Sequence, residues 1–213
     1  NSLLVSELSL KTNDDWVLIS QKKDFNLENL KKIKPDKIFI PHWSFIIPKS
    51  IFDSYECIVF HMTDLPYGRG GSPLQNLILN GHDNTKISAL KVESGIDTGD
   101  IYIKKELILN GSAQEIYQRA NEAIRDMIVE IVKTNPSPIK QTGEPTFFKR
   151  RKPFMSNLNE AKSLDEVYDF IRMLDADGYP HAFLETEKFK FEFRKVSKQN
   201  NESLESYVRI IKK

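Results

Sequence analysis

A single cysteine, Cys57, excludes an intrachain disulfide in this 213-residue chain, and a lone thiol suits a reducing, cytoplasmic compartment. It lies in the apolar run Cys57-Ile58-Val59-Phe60, where a buried and inert thiol is expected. Four histidines are spread along the chain beside that one cysteine. None of their spacings resembles a zinc site, so no metal is expected. Apolar residues never run to eighteen, which excludes an ordinary transmembrane helix and with it a membrane partner. Net charge is nearly absent as well. The 31 basic and 30 acidic side chains leave a formal charge of +1, which gives no global reason to expect a nucleic-acid partner, although a local patch stays open. The start at Asn1 rather than Met is read as a trimmed start, with no signal peptide in view.

What is present reads as globular: 39% hydrophobic and 29% charged residues, in a length that suits one α/β domain with a small appendage. The expected division is a catalytic-type domain over 1–135, followed by a linker and short C-terminal appendage over 136–213. Short apolar runs alternate with helical or turn segments through the first part. Trp16 to Ser20 and Ile38 to Ile40 fit short strands, as does Cys57 to Met62. Leu3 to Leu8 is either another strand or an ill-ordered terminus. Leu27 to Ile33 is weakly helical and ends before Pro35.

Further along, Ser72 is expected to cap a helix that has Pro73 at its first position. Lys86 to Glu93 and Asp100 to Ile108 alternate as strands do, joined by the glycine-bounded turn 94–99. Ser112 with Glu115 forms a capping box for a long helix that ends near Pro136. Strands alternating with helices imply an α/β fold with a mostly parallel sheet. The polar, proline-bearing stretch 134–145 predicts a linker. Beyond it, a helix is expected over 163–176, then a small hairpin around 181–185 and 189–196, making a small α+β appendage.

Polar residues gather where such a sheet would end its strands. His61 follows Ile58-Val59-Phe60, and Asp97 sits in the turn after Lys86–Glu93. Ligands in open α/β sheets bind beyond the carboxyl ends of strands. A histidine moves protons near neutrality, and a nearby carboxylate can orient or relay them.

The wider pattern is more specific. Phe60-His61-Met62-Thr63-Asp64-Leu65-Pro66, then Arg69-Gly70-Gly71-Ser72-Pro73, then Gly95-Ile96-Asp97-Thr98-Gly99 resembles the folate-dependent formyltransferases. That family includes the methionyl-tRNA formyltransferases and the N-formyltransferases of nucleotide-linked amino sugars. The likeness covers about Lys34 to Asn135. It implies a Rossmann-like formyltransferase domain that uses 10-formyltetrahydrofolate as formyl donor and an amine as acceptor.

Carried over, His61 and Asp97 are the catalytic pair, with Thr63 orienting the site. Trp43, Phe45, Ile46, Ile47 and Asp100 fall to the folate side. Tyr67, Arg69, Gly70, Lys149 and Arg150 fall to the acceptor. One departure stands out: the family usually has asparagine two residues before its histidine, and this chain has Val59. Loss of one oxyanion donor costs about 10²–10³ in turnover. His42 is the favoured replacement. A backbone N–H, water or the acceptor is a second option, and a weak or inactive relative a third.

Only about 70 residues remain for a tail, where tRNA-directed relatives carry a sizeable barrel-like domain. The expected acceptor is therefore a nucleotide-linked amino sugar, in glycan biosynthesis. Methionyl-tRNA formylation is the alternative, and a lapsed folate- or nucleotide-binding relative the other. A homodimer stays open.

Overall fold

The computed structural model describes residues 2–41, 45–200 and 202–213. Its elements in chain order begin with α1 (Ser2–Lys11), α2 (Leu27–Ile33), β1 (Lys37–Ile40), α3 (Lys49–Phe52) and β2 (Glu56–His61). They continue with β3 (Arg69–Gly70), α4 (Pro73–Leu79), β4 (Asn84–Lys91), β5 (Ile101–Ile108) and α5 (Ala113–Thr134). The last are β6 (Phe147–Phe148), α6 (Leu164–Arg172), β7 (Ala182–Glu185), β8 (Phe189–Asn200) and β9 (Ser203–Lys212). Two compact units result. The first comprises Asn1–Arg69, Lys86–Glu106 and Ala120–Phe147, and the second Gly70–Thr85, Leu107–Arg119 and Phe148–Lys213.

The α/β class follows from a four-stranded sheet in the order β1-β2-β4-β5. Its parallel core is the β1–β2 pair, in register from Lys37 opposite Glu56 to Ile40 opposite Val59. β4 joins β2 antiparallel, with His61 opposite Ser88. Leu30, Ile40, Ile47, Ile51 and Cys57 form one buried cluster of the first unit, flanked by Ile38, Phe52, Tyr55 and Val59. Cys57 is deep within it. α2 starts on the Asn26 side chain, which accepts from the Asn29 N–H, and ends at Lys34 in the left-handed region. That is the boundary Pro35 imposes. The Ser112–Glu115 capping box is present: Glu115 Oε2 accepts from the Ser112 N–H at 2.8 Å, and Ser112 Oγ from the Glu115 N–H.

Several local expectations are corrected. Residues 3–8 lie in α1, not in a strand. Residues 16–20 form no strand; Trp16 instead donates its indole N–H to Thr12 Oγ1 and packs its ring against Phe39. Ser72 precedes α4 in the left-handed region, and its hydroxyl accepts from the Arg151 N–H rather than capping the helix. The last helix ends at Arg172, not Ala176. The terminal hairpin is a three-stranded antiparallel sheet, β7-β8-β9, because Ser203–Lys212 adds a long strand to β8.

In the second unit, α6 starts on the Ser163 side chain and buries Phe170, Ile171 and Arg172. The Arg172 guanidinium is tolerated because it donates to the carbonyls of Leu109 and Gly111 and to the Asp169 carboxylate. Gln75 bridges the Tyr117 hydroxyl and the Met173 carbonyl, and Tyr117 stacks on Tyr179.

Two groups of the first unit make testable statements. Burial, helped by the Glu56 carboxylate, pushes the Cys57 thiol up to about 12. The folded protein is therefore expected to resist a thiol reagent at about pH 8, and to react fully only when denatured; rapid labelling of the native protein would contradict the packing. Asp64 lies between Lys104 (2.5 Å) and Lys86 (3.0 Å). Burial pushes its carboxyl up, but hydrogen bonds and charge from these lysines outweigh that and hold it below the usual carboxylate range. A native value below the unfolded one, about 3.9, contributes stability above that pH and loses it as pH falls through the native value. The gap in melting temperature between wild type and Asp64→Asn should be widest at neutral pH and close in acid. A gap independent of pH would remove the ion pairs as its cause.

Candidate active site

His61 is the last residue of β2, and strand alternation puts it on the same face as Val59 and Cys57. Val59 packs toward Leu65, Leu90 and Ile101, so the position two residues before His61 is filled with hydrocarbon and supplies no donor. The His61 ring is buried. Its Nε2 lies 2.8 Å from the Gly68 carbonyl oxygen. That oxygen can only accept, so Nε2 carries a proton and Nδ1 is the exchangeable position. Nδ1 faces Asp97 Oδ2 at 3.6 Å. The gap exceeds a direct hydrogen bond and leaves both atoms within reach of one intervening group.

Each partner is held from elsewhere in the first unit. Thr63 is fully buried; its hydroxyl donates to Gly68 O at 3.5 Å, and its carbonyl accepts from the Ser88 hydroxyl at 2.7 Å. The Gly68 N–H donates to Thr146 Oγ1 at 2.7 Å, and the Arg69 N–H to the Thr146 carbonyl at 2.9 Å. Asp97 has φ 54°, the left-handed region that asparagine and aspartate enter more readily than other side-chain-bearing residues. The turn that carries it closes tightly on β4: a Cβ on Gly99 would fall 1.8 Å from the Lys91 carbonyl oxygen.

Gln141 joins the two halves. Its Nε2 donates to the carbonyls of Asp97 (2.9 Å) and Gly99 (2.8 Å), and its Oε1 accepts from Arg69 Nη2 (2.8 Å). Gln141 and Thr146 escape sequence reasoning, since both lie in a stretch whose polarity reads as a linker. Only the threonine and glutamine hydrogen-bonding capacity hints at more.

The remaining expected site residues are distributed unevenly. His42 and Trp43 lie outside the described residues. Phe45 and Ile46 are exposed, at 51% and 93%, on the loop that leaves β1 beside the His61 end of β2, with Lys22 Nζ 4.0 Å from the Phe45 ring centre. Ile96, next to Asp97, is also exposed. Phe45, Ile46 and Ile96 thus leave apolar surface exposed on these two segments. Ile47, by contrast, is buried in the core cluster. Asp100 is half-buried and uses its carbonyl to accept from the Lys91 N–H. The Tyr67 N–H donates to the Asp64 carbonyl, closing the loop after β2. Arg69 is engaged with Gln141. Gly70, with φ 106°, lets the Phe148 carbonyl approach, since a Cβ there would sit 2.5 Å from that oxygen. Lys149 and Arg150 are exposed residues of the second unit.

Comparison with known proteins places these features in a family. Residues 9–132 match the model of the formyl transferase family, and residues 153–211 match the C-terminal domain of methionyl-tRNA formyltransferase. The chain is 30% identical over 183 residues to the methionyl-tRNA formyltransferase of Clostridium novyi, covering 80% of this chain and 59% of that relative. It thus spans about three-fifths of that relative's length. A methionyl-tRNA formyltransferase structure from Clostridium thermocellum superposes with a TM-score of 0.95 at 46% identity, covering 100% of this chain and 94% of the other. HypX from Aquifex aeolicus, solved with tetrahydrofolic acid, shares the fold at a TM-score of 0.74 and 18% identity, over 92% of this chain and 36% of that one.

These findings overturn the nucleotide-linked amino sugar as acceptor, and with it glycan biosynthesis and the expectation that a nucleic-acid partner is unlikely. The tail is short, yet residues 153–211 are of the type found in methionyl-tRNA formyltransferases. Net charge misled in the same direction, because a sum near zero says nothing about how charges are distributed. The family's one-carbon donor is 10-formyltetrahydrofolate. On the match over 9–132, the chain belongs to the formyl transferase family.

Proposed function

We propose that the chain transfers the formyl group of 10-formyltetrahydrofolate to the methionine amine of a methionyl-tRNA. The observation that carries the chemistry is the fixed ring of His61, with Nε2 committed to Gly68 and Nδ1 turned to Asp97. The acceptor rests on the match of 153–211 to a methionyl-tRNA formyltransferase C-terminal domain. In line with a nucleic-acid partner, β8 and β9 carry six basic residues against the acids Glu192 and Glu205. Lys190, Arg194 and Lys198 pair with Glu192, Asp175 and Asp165, and Lys195, Arg209 and Lys212 add to the basic excess.

In this reading, the neutral amine bonds to the formyl carbon and the bond from that carbon to the folate nitrogen breaks. One proton leaves the amine and one reaches the departing nitrogen, so the exchange balances. His61 Nδ1 and Asp97 Oδ2 hold and pass that proton, directly or through one water. Imidazolium at His61 also stabilises charge that builds on the formyl oxygen, a role Val59 cannot share. The Asp97 carboxylate in turn stabilises the imidazolium.

Incubation with 10-formyltetrahydrofolate and methionyl-tRNA is expected to give formylmethionyl-tRNA, read as a formyl gain by mass. No gain under conditions where a known formyltransferase is active would sink the proposal. His61→Ala and Asp97→Asn should each lower kcat by about 10²–10⁴ with melting temperature near wild type. Near-wild-type turnover in either variant would take that residue out of the proton path.

A further inference from the structure

The His61–Asp97 geometry needs two loops, after β2 and after β4, to keep a fixed spacing. The connection runs through the extended segment after α5. Ile139 exchanges two backbone hydrogen bonds with Ile101, at 2.8 and 2.9 Å, which pins the segment beside the start of β5. Two residues on, Gln141 reaches the Asp97 turn, and Thr146 reaches Gly68, whose carbonyl holds His61.

The Gln141 amide is unusually well determined. Asp97 O and Gly99 O can only accept and the Arg69 guanidinium can only donate, so the amide nitrogen must face the carbonyls and its oxygen the arginine. Both amide hydrogens and the oxygen are thereby used. A single side chain thus binds the carbonyls on either side of Thr98 and holds a turn whose Asp97 sits at positive φ. Burial of hydrocarbon cannot do this, because the carbonyl oxygens of Asp97 and Gly99 need a donor.

We propose that Gln141 is a positioning residue for the reaction, acting through Asp97: it fixes the turn 95–99 so that the carboxylate faces His61 Nδ1. The proposal rests on the formyl-transfer reading for its kinetic consequences but not for its geometry. Displacement of a reacting group by about 1 Å can cost about 10²-fold in rate. The effect should fall on kcat, since both amide hydrogens and the oxygen of Gln141 are already engaged by the protein.

The test uses Gln141→Leu and Gln141→Glu in the full chain. Glutamate keeps an acceptor for Arg69 but has no donor for Asp97 O and Gly99 O. Both variants should lower kcat by about 10²-fold with each KM within about threefold. In an Asp97→Asn background, Gln141→Leu should add little, because its effect passes through the residue already removed. A purely structural role would instead add its cost in both backgrounds. Nitrogen NMR of the His61 ring, identified by its loss in His61→Ala, supplies a readout independent of turnover. Gln141→Leu should move the Nδ1 resonance in the direction that Asp97→Asn moves it.

Restoration of kcat by Gln141→Glu would show that the arginine contact alone matters and overturn the proposal. So would an unmoved Nδ1 resonance, or additive losses in the double variant. If the wild-type protein transfers no formyl group, the functional reading falls and the NMR comparison alone decides on Gln141. Should Gln141→Leu unfold, the near-isosteric Gln141→Glu carries the same measurements.

Discussion

A carbonyl oxygen can accept a hydrogen bond but never donate one, and the site is organised by that asymmetry at Gly68. Because Gly68 O lies 2.8 Å from His61 Nε2, the proton on that nitrogen is committed and the ring cannot turn without breaking its bond to a buried acceptor. For the proposed reaction, the choice of which His61 nitrogen faces Asp97 is made here. Gly68 reaches its place at φ 73°, a conformation open to glycine without cost, and Thr63 and Thr146 hold it from two sides. The sheet contributes the other coordinate: β2 delivers His61 at its end, and Ser88 on the neighbouring β4 fixes the Thr63 backbone just beyond.

Features set by residues a few positions apart were legible in the sequence. α2 begins on Asn26 and stops at Lys34 before Pro35, and the Ser112–Glu115 box starts α5. β1 and β2 are short apolar runs whose burial is nearly forced. Ser72 shows the limit of this kind of reading. Its side chain could serve a helix start or a distant strand, and the left-handed backbone turns it to Arg151 instead. Trp16 shows another, since apolar character demands burial without specifying a ladder, and its ring found Phe39 while its N–H found Thr12. β9 went unseen because its alternation, with Tyr207, Val208 and Ile210 exposed, does not separate an inner from an outer face.

The chemistry was more legible than its support. His61 and Asp97 stand in motifs with recognisable spacing, while Gln141 and Thr146 are ordinary polar residues in ordinary surroundings. Gln141 meets Asp97 from 44 residues away and Thr146 meets Gly68 from 78, separations at which no local pattern survives. The acceptor was misjudged chiefly from the length of the tail, although residues 153–211 match a methionyl-tRNA formyltransferase C-terminal domain. Net charge pointed the same way. A formal +1 is a sum over the chain, whereas recognition of a polyanion depends on where cations lie.

The glycine that closes the Asp97 turn has a consequence for how this site can change. At Gly99 the smallest possible addition, one methyl group, would already overlap the Lys91 carbonyl oxygen, so the position has no graded alternatives. Most parts of a protein can be adjusted by a methylene at a time, but this one is a latch with a single setting. Adjustment of how the acid is presented must come instead from residues with room around them, such as the exposed Ile96 beside it. Substitution without overlap is thereby confined to the rim of the turn, where side chains face open space.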